Sequence, residues 1–119
     1  LVAPRAWNIE MYAGDVCRDD MLNDLKRGLY LTNTWYTRFQ NYATGDFSTL
    51  PRDGIFLIEN GEIQQSFKDL RVSDNALKIL GNIAQVSKER QHIHWWEDAN
   101  PPSLCPYVHV KDVQMTKPT

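Results

Sequence analysis

Ile55-Phe56-Leu57-Ile58-Glu59-Asn60-Gly61-Glu62-Ile63-Gln64-Gln65-Ser66-Phe67 is the stretch whose reading decides the fold class. Asn-Gly between two runs of branched and aromatic side chains suits a two-residue type I′ turn, because both central residues need positive φ. The expected hairpin pairs Ile55–Glu59 with Glu62–Phe67. That register sets Ile58 opposite Ile63 and Glu59 opposite Glu62. The isoleucines support the ladder, and the two carboxylates weaken it by roughly a few tenths of a kcal/mol. A glycosidase also needs two carboxylates, but flanking a cleft. Two glutamates at a solvent-facing tip read as surface.

Towards the N-terminus, Leu29 through Trp35 is the next expected strand, and Thr34 to Arg52 interleaves aromatic with polar residues. Thr44-Gly45-Asp46 favours a turn, and Leu50-Pro51-Arg52-Asp53-Gly54 a second. The run Arg18–Arg27 reads as a helix with acids near its start and bases near its end, and Gly28 as its left-handed stop. Met21, Leu22 and Leu25 form its apolar stripe, and Cys17 stands at the capping position with Asp20 three residues on. Trp7–Tyr12 alternates as a half-buried strand does, and Gly14-Asp15 turns the chain.

Towards the C-terminus, Ser73 is placed to cap a helix from Asp74 to about Ser87, with Leu77, Leu80, Ile83 and Ala84 on its apolar side and Gly81 lowering its helicity. Lys88–Gln91 reads as a polar exit and Ile93–Trp96 as an aromatic stretch. Pro101-Pro102 interrupts regular structure. Tyr107–Val113 reads as a last strand with Val108, Val110 and Val113 in the core. The sum is an α+β fold: a curved antiparallel or mixed sheet covered by two helices.

Composition bounds the function. A chain of 119 residues with 42% hydrophobic residues supports one core rather than two. Thirteen basic against fifteen acidic residues leave a charge of -2, with no basic block to neutralise phosphates, so no direct nucleic-acid binding is expected. No apolar run reaches the roughly 18 residues of a membrane span, and no signal peptide opens the chain, so no membrane association is expected. Two distant cysteines, Cys17 and Cys105, are not a disulfide framework and point to reduced thiols in a cytoplasmic protein. A start without methionine permits processing or truncation.

Catalytic constellations are sparse. His92-Ile93-His94 sets two imidazoles on one side of a strand, with Cys105, His109, Glu97 or Asp98 as third ligands, so His92 and His94 are the metal candidates. HxH alone is a weak pattern, and no HExxH supplies helix-borne ligands and a base. Neither Cys17 nor Cys105 has an identifiable general base or oxyanion site. Gly45, Gly54 and Gly61 match neither a Rossmann nor a Walker A spacing. No catalytic residue is assigned. Binding is the better reading: Trp35, Tyr36, Arg38, Asn41 and Tyr42, with Phe39, are candidates for an aromatic and polar surface that receives a peptide or partner. Arg38 suits a carboxylate and at least half of the aromatics suit a core. Exposed sheet edges offer a second route, by strand addition.

Three blocks carry a resemblance: Gly28-Leu29-Tyr30-Leu31-Thr32-Asn33, Asn41-Tyr42-Ala43-Thr44-Gly45-Asp46-Phe47-Ser48 and Phe56-Leu57-Ile58-Glu59-Asn60-Gly61-Glu62-Ile63. In this order, after a short helix and before a helix near Ser73 and a last strand, they resemble the C-terminal region of TldD/PmbA proteins. The resemblance spans nearly the whole chain, so residues 1–119 are expected to be one C-terminal TldD/PmbA-like domain or part of one. It implies a curved, barrel-like sheet in the parent, paired subunits that process peptides, and an older description as modulators of DNA gyrase. It also implies a zinc centre in the TldD-type member, from an upstream HExxxH helix and a cysteine in a CGK-like segment, which the PmbA-type partner lacks. This chain departs from that pattern. It has no HExxxH, Gln91–Trp96 stands where the cysteine segment belongs, and Cys105 comes too late. The expectation is an incomplete or non-catalytic part of a peptidase complex: no cofactor within the chain, zinc in the parent assembly, TldD/PmbA-like subunits as partners and peptide as substrate. The alternatives are a non-proteolytic binding or regulatory module, and a metalloenzyme using His92 and His94.

Overall fold

Asn60 and Gly61 take φ of 51° and 79°, as the type I′ turn requires, and join β3 (Asp46–Glu59) to β4 (Glu62–Ser66). Ile58 pairs with Ile63 and Glu59 with Glu62, the register expected above. The computed structural model describes residues 2, 4–94 and 101–117. Its remaining elements are β1 (Ile9–Glu10), α1 (Arg18–Asn23), β2 (Arg27–Asn41), β5 (Arg71–Asn75), α2 (Ala76–Gly81), β6 (Ile83–Ile93), β7 (Ser103–Val110) and β8 (Met115–Thr116).

The strands form two sheets. One runs β2-β3-β5-β8 with β4 also on β3, all antiparallel; the other runs β1-β7-β6, with β1 parallel to β7. The fold is therefore α+β with mixed, mostly antiparallel pairing and two short helices. Neither sheet closes into a barrel among the described residues.

Several local expectations are corrected. The helix expected over Arg18–Arg27 stops at Asn23, because the carbonyls of Leu25 and Lys26 accept the N–H groups of Gly61 and Asn60, at 2.9 and 2.8 Å. Gly28 is no helix stop: it sits in β2 opposite Ile58, and a Cβ there would lie 2.7 Å from the Leu25 side chain. The turn expected at Leu50–Gly54 is continuous strand with a bulge, marked by Asp53 at φ 67° and a register shift against Leu31–Asn33. Pro51 is tolerated because it falls between the last β5 pair, Thr49 with Val72, and the first β4 pair, Phe56 with Ser66, where that side of β3 has no ladder partner.

The largest correction lies between Asp74 and Ser87. Only Ala76–Gly81 is helical, capped by Asn75 rather than Ser73, and Ile83–Ile93 pairs with β7. Ile83 and Val86 favour a strand once a partner exists, and Gly81 weakens the helix where it ends. Leu77 and Leu80, expected in the core, are 72% and 62% exposed. Lys88–Gln91 lies within β6 instead of leaving a helix. The expected first strand shrinks to Ile9–Glu10, whose ladder partners among the described residues are Ser103 and Leu104, and Trp7 and Tyr12 are exposed. The last expected strand ends at Val110; Val108 is exposed, whereas Val110 and Val113 are half-buried. Of the Ile93–Trp96 stretch, Trp95 and Trp96 lie outside the described residues.

Among the described residues the buried apolar core is small: Met21, Ile55, Ile58 and Val72. The accessible surface is 9049 Å², whereas a compact monomer of 13.8 kDa exposes about 6,600 Å². The radius of gyration, 15.2 Å, likewise exceeds the roughly 13.5 Å of a compact domain of this length.

Polar contacts bridge what this core does not. The Arg18 guanidinium lies over the rings of Tyr30 in β2 and Tyr107 in β7, 5.7 and 4.9 Å from their centroids, and so ties the two sheets. Its hydrogen bond to the Tyr30 hydroxyl, at 3.3 Å, is the main cause that raises its pKa. The main-chain N–H of Arg18 donates to the Glu89 carboxylate at 2.9 Å and holds that acid below its ordinary pKa.

Asp74 fastens β5 to α2 and to the turn before β8. Its carboxylate accepts from the Gln114 N–H at 2.7 Å, the Lys78 ammonium at 2.9 Å and the Asn75 N–H at 2.7 Å. Burial pushes this acid up, but the three donors outweigh it and its pKa is lowered. A depressed folded-state pKa contributes stability above the unfolded value of about 4, lost as pH falls through the folded value. Asp74→Asn is therefore expected to cost about 2–3 kcal/mol at pH 7 and to shrink the loss of stability as pH falls below about 4. Urea melts across that range give the check; equal pH slopes for the two proteins would contradict the assignment.

Candidate functional site

The distal half of the β2–β3 hairpin carries the residues singled out from sequence. Its geometry begins at two irregularities. Tyr36 adopts φ 52° within a register shift between Trp35–Arg38 and Leu50–Ser48. The bulge is stitched by Thr49, whose hydroxyl donates to the Trp35 carbonyl at 2.9 Å and lies 2.8 Å from the Thr37 hydroxyl. A second anchor stands at the hairpin end. The Asn41 carbonyl accepts the Gly45 N–H at 2.9 Å, and its side-chain oxygen accepts the Ala43 N–H at 3.0 Å.

Thr44-Gly45-Asp46 then reaches the neighbouring strand. Asp46 accepts from the Thr44 hydroxyl at 2.6 Å and the Asn75 amide at 2.9 Å, and these two bonds hold its pKa below the usual carboxylate range. Asn75 also donates to the Thr44 carbonyl at 2.7 Å, and its oxygen caps α2 through the Leu77 and Lys78 N–H groups, at 3.0 and 3.2 Å. The motif thus acts as a clamp between the hairpin end and α2. Asn41 is exposed, and its side chain is engaged in this turn.

Pairing sorts the other candidates. Trp35 lies opposite Leu50 and Arg38 opposite Ser48, so both project on one face of the hairpin. Arg52, two residues from Leu50, shares it: its guanidinium lies 5.4 Å from the Trp35 ring and 5.5 Å from the Tyr36 ring. Tyr42 belongs to a second cluster. It stacks on Phe39 at 5.3 Å, and Phe39 meets its cross-strand partner Phe47 at 6.0 Å. Tyr36, Phe39 and Tyr42 are exposed, whereas Trp35 and Phe47 are half-buried. Arg52 was missed from sequence because Pro51 and Gly54 drew its segment as a turn. Only the register of β3 reveals it.

His92 and Cys105 do not face one another. His92 lies opposite Leu104 and Gln91 opposite Cys105, so His92 and Cys105 project from opposite faces of the β6–β7 pair. Cys105 instead shares its face with Tyr107, whose hydroxyl is bonded by the Gln91 amide. His109 sits far down β7 opposite Gln85, and its Nδ1 is 3.4 Å from the Gln85 oxygen. Glu97 and Asp98 lie outside the described residues. Among the described residues no three His, Cys, Asp or Glu side chains converge. Cys17 stands at the α1 cap position with no side-chain cap bond, and both cysteines are unpaired. No helix among the described residues is long and apolar enough to cross a membrane.

A family model described as the PmbA/TldA metallopeptidase C-terminal domain matches residues 1–117. Among solved structures, TldE from Thermococcus kodakarensis is 21% identical, with a TM-score of 0.73 over 91% of this chain and 23% of its own. A candidate modulator of a DNA gyrase from Thermotoga maritima is 23% identical, with a TM-score of 0.75 over 92% of this chain and 24% of its own. A candidate modulator of DNA gyrase from Bacteroides thetaiotaomicron is 24% identical, with a TM-score of 0.70 over 90% of this chain and 22% of its own. These likenesses concern the fold. The chain spans about a quarter of the length of the solved relatives it matches. No curated protein matches it.

Proposed function

Because this chain belongs to the PmbA/TldA metallopeptidase C-terminal domain family, we propose that it is a non-catalytic part of a peptide-processing assembly. Its work is to support contacts among TldD/PmbA-like subunits and to position peptide. The observation that carries this reading is the exposed aromatic and arginine surface of the β2–β3 hairpin, on a chain in which no three candidate metal donors converge among the described residues. Aromatic and arginine side chains are the residues on which binding energy concentrates.

Three further features support it. The chain exposes far more surface than a compact monomer of its mass, as a unit seated in a larger assembly does. The outer edge of β2, a strand of 15 residues, has no partner strand among the described residues, and β4 is exposed along its length. An extended segment can add to such an edge by backbone hydrogen bonds. A zinc ion serving this assembly would be held by residues outside this chain. The same reading places the assembly in the cytoplasm, where unpaired thiols such as Cys17 and Cys105 persist.

Anisotropy of a labelled extended peptide, titrated with the parent protein containing this domain, tests the surface. The Tyr36→Ser, Tyr42→Ser double variant is expected to bind at least about tenfold more weakly, because two exposed ring anchors are removed. Affinity equal to the unsubstituted protein's would place the peptide elsewhere.

A further inference from the structure

We infer that the Trp35 face of the hairpin selects acidic peptide segments, an inference that rests on the peptide-binding reading above. The argument is one of charge placed among rings. Two guanidiniums, Arg38 and Arg52, stand on the face that also carries Trp35. Among the described residues the Arg38 guanidinium forms neither an ion pair nor a hydrogen bond, and that of Arg52 meets ring faces but no carboxylate. No hairpin acid forms an ion pair with either of them among the described residues, and Glu59 pairs with Arg27. Asp46 is engaged by Thr44 and Asn75, and Asp53 by the Asn33 amide.

Spacing gives the complement. Arg38 lies opposite Ser48, and Ser48 is four residues from Arg52 on β3, about 13 Å along a strand. An extended peptide repeats its side-chain direction every second residue. Carboxylates at positions i and i+4 therefore match the two guanidiniums. Arginine suits such a partner because its planar fork binds carboxylate while its face stays on a ring. Single-stranded nucleic acid is also bound by arginine and aromatic side chains, but a net charge of -2 works against a phosphate backbone.

The test uses the parent protein and three fluorescein-labelled peptides with a central Glu-Ser-Leu-Ser-Glu, Gln-Ser-Leu-Ser-Gln or Lys-Ser-Leu-Ser-Lys segment, plus a labelled oligothymidylate. The Glu peptide is expected to bind about tenfold more tightly than the Gln peptide at low salt, and the Lys peptide more weakly still. Raising salt should narrow the gap. In the Arg38→Gln, Arg52→Gln double variant the Glu preference should vanish, so that the Glu and Gln peptides bind equally whatever affinity both lose. Binding that ignores peptide charge overturns this inference and leaves the peptide-positioning reading intact. No binding of any peptide overturns both. Tighter binding of oligothymidylate than of the Glu peptide overturns the acidic-peptide assignment in favour of nucleic acid.

Discussion

Ile58→Ala is expected to lower unfolding stability by about 2–5 kcal/mol, because a fully packed side chain is cut back in a core with few others. Ile58 is 1% exposed and pairs with Gly28 on one side and Ile63 on the other. With Met21, Ile55 and Val72 the only other buried apolar residues described, the cavity has little to collapse into. A total stability of about 5–15 kcal/mol makes such a loss a large fraction of the whole. Ile63→Ala is the matched control: it faces Ile58 across the ladder but is 62% exposed, and should cost less than about 1 kcal/mol. Urea melts of both variants decide it, and equal shifts in midpoint would show that Ile58 is not the packed centre of β3.

Gly61→Ala comes second, at about 2–4 kcal/mol, from two causes acting together. The residue sits at φ 79°, and an added Cβ would lie 2.6 Å from the Asn23 carbonyl oxygen and 2.9 Å from its Cα. Backbone on both sides cannot swing aside as a long side chain can. The turn would lift off the end of α1 and strain the bonds from Asn60 and Gly61 to Lys26 and Leu25. Two other glycines separate the causes. Gly45 has a similar φ of 82°, but its nearest neighbour stands at 3.8 Å, so Gly45→Ala should cost only about 1 kcal/mol. Gly81 lies in α2 with nothing within 4 Å, and Gly81→Ala should stabilise by up to about 1 kcal/mol. The order Gly61, Gly45, Gly81, with a change of sign at the last, is what thermal melts should return.

What sequence made legible was governed by neighbours in the chain. Asn60-Gly61 dictated its turn type and the pairing of Ile58 with Ile63, since a two-residue loop leaves one register. The ordered blocks placed the chain in its family, which the match over residues 1–117 shows. What failed was set by distant partners. Nothing local tells Ile83–Ile93 that β7 will pair with it, and its apolar run with helical spacing predicts a helix. Pro51 and Gly54 looked like a turn because the gap between β5 and β4 on β3 is invisible before the sheet is assembled.

The candidate surface shows the same division. Trp35, Tyr36 and Arg38 were found as a cluster of suitable residue types, and pairing puts Trp35 and Arg38 on one face. Tyr42 stacks instead with Phe39, and Asn41 is used by its own turn. Arg52 joins only through cross-strand register. The Asp46–Asn75 clamp has its first half in an obvious turn and its second 29 residues away. Side-chain types can be chosen from sequence, but which of them face one another is settled by strand pairing.

The most direct measurement combines metal analysis with peptide turnover on this 119-residue polypeptide, alone and then with the parent subunits. Elemental analysis after dialysis should find zinc well below one equivalent on the polypeptide alone, and a labelled peptide should stay uncut until the other subunits supply the metal site. One tightly held zinc per chain, with hydrolysis abolished by His92→Ala or His94→Ala, would contradict the account.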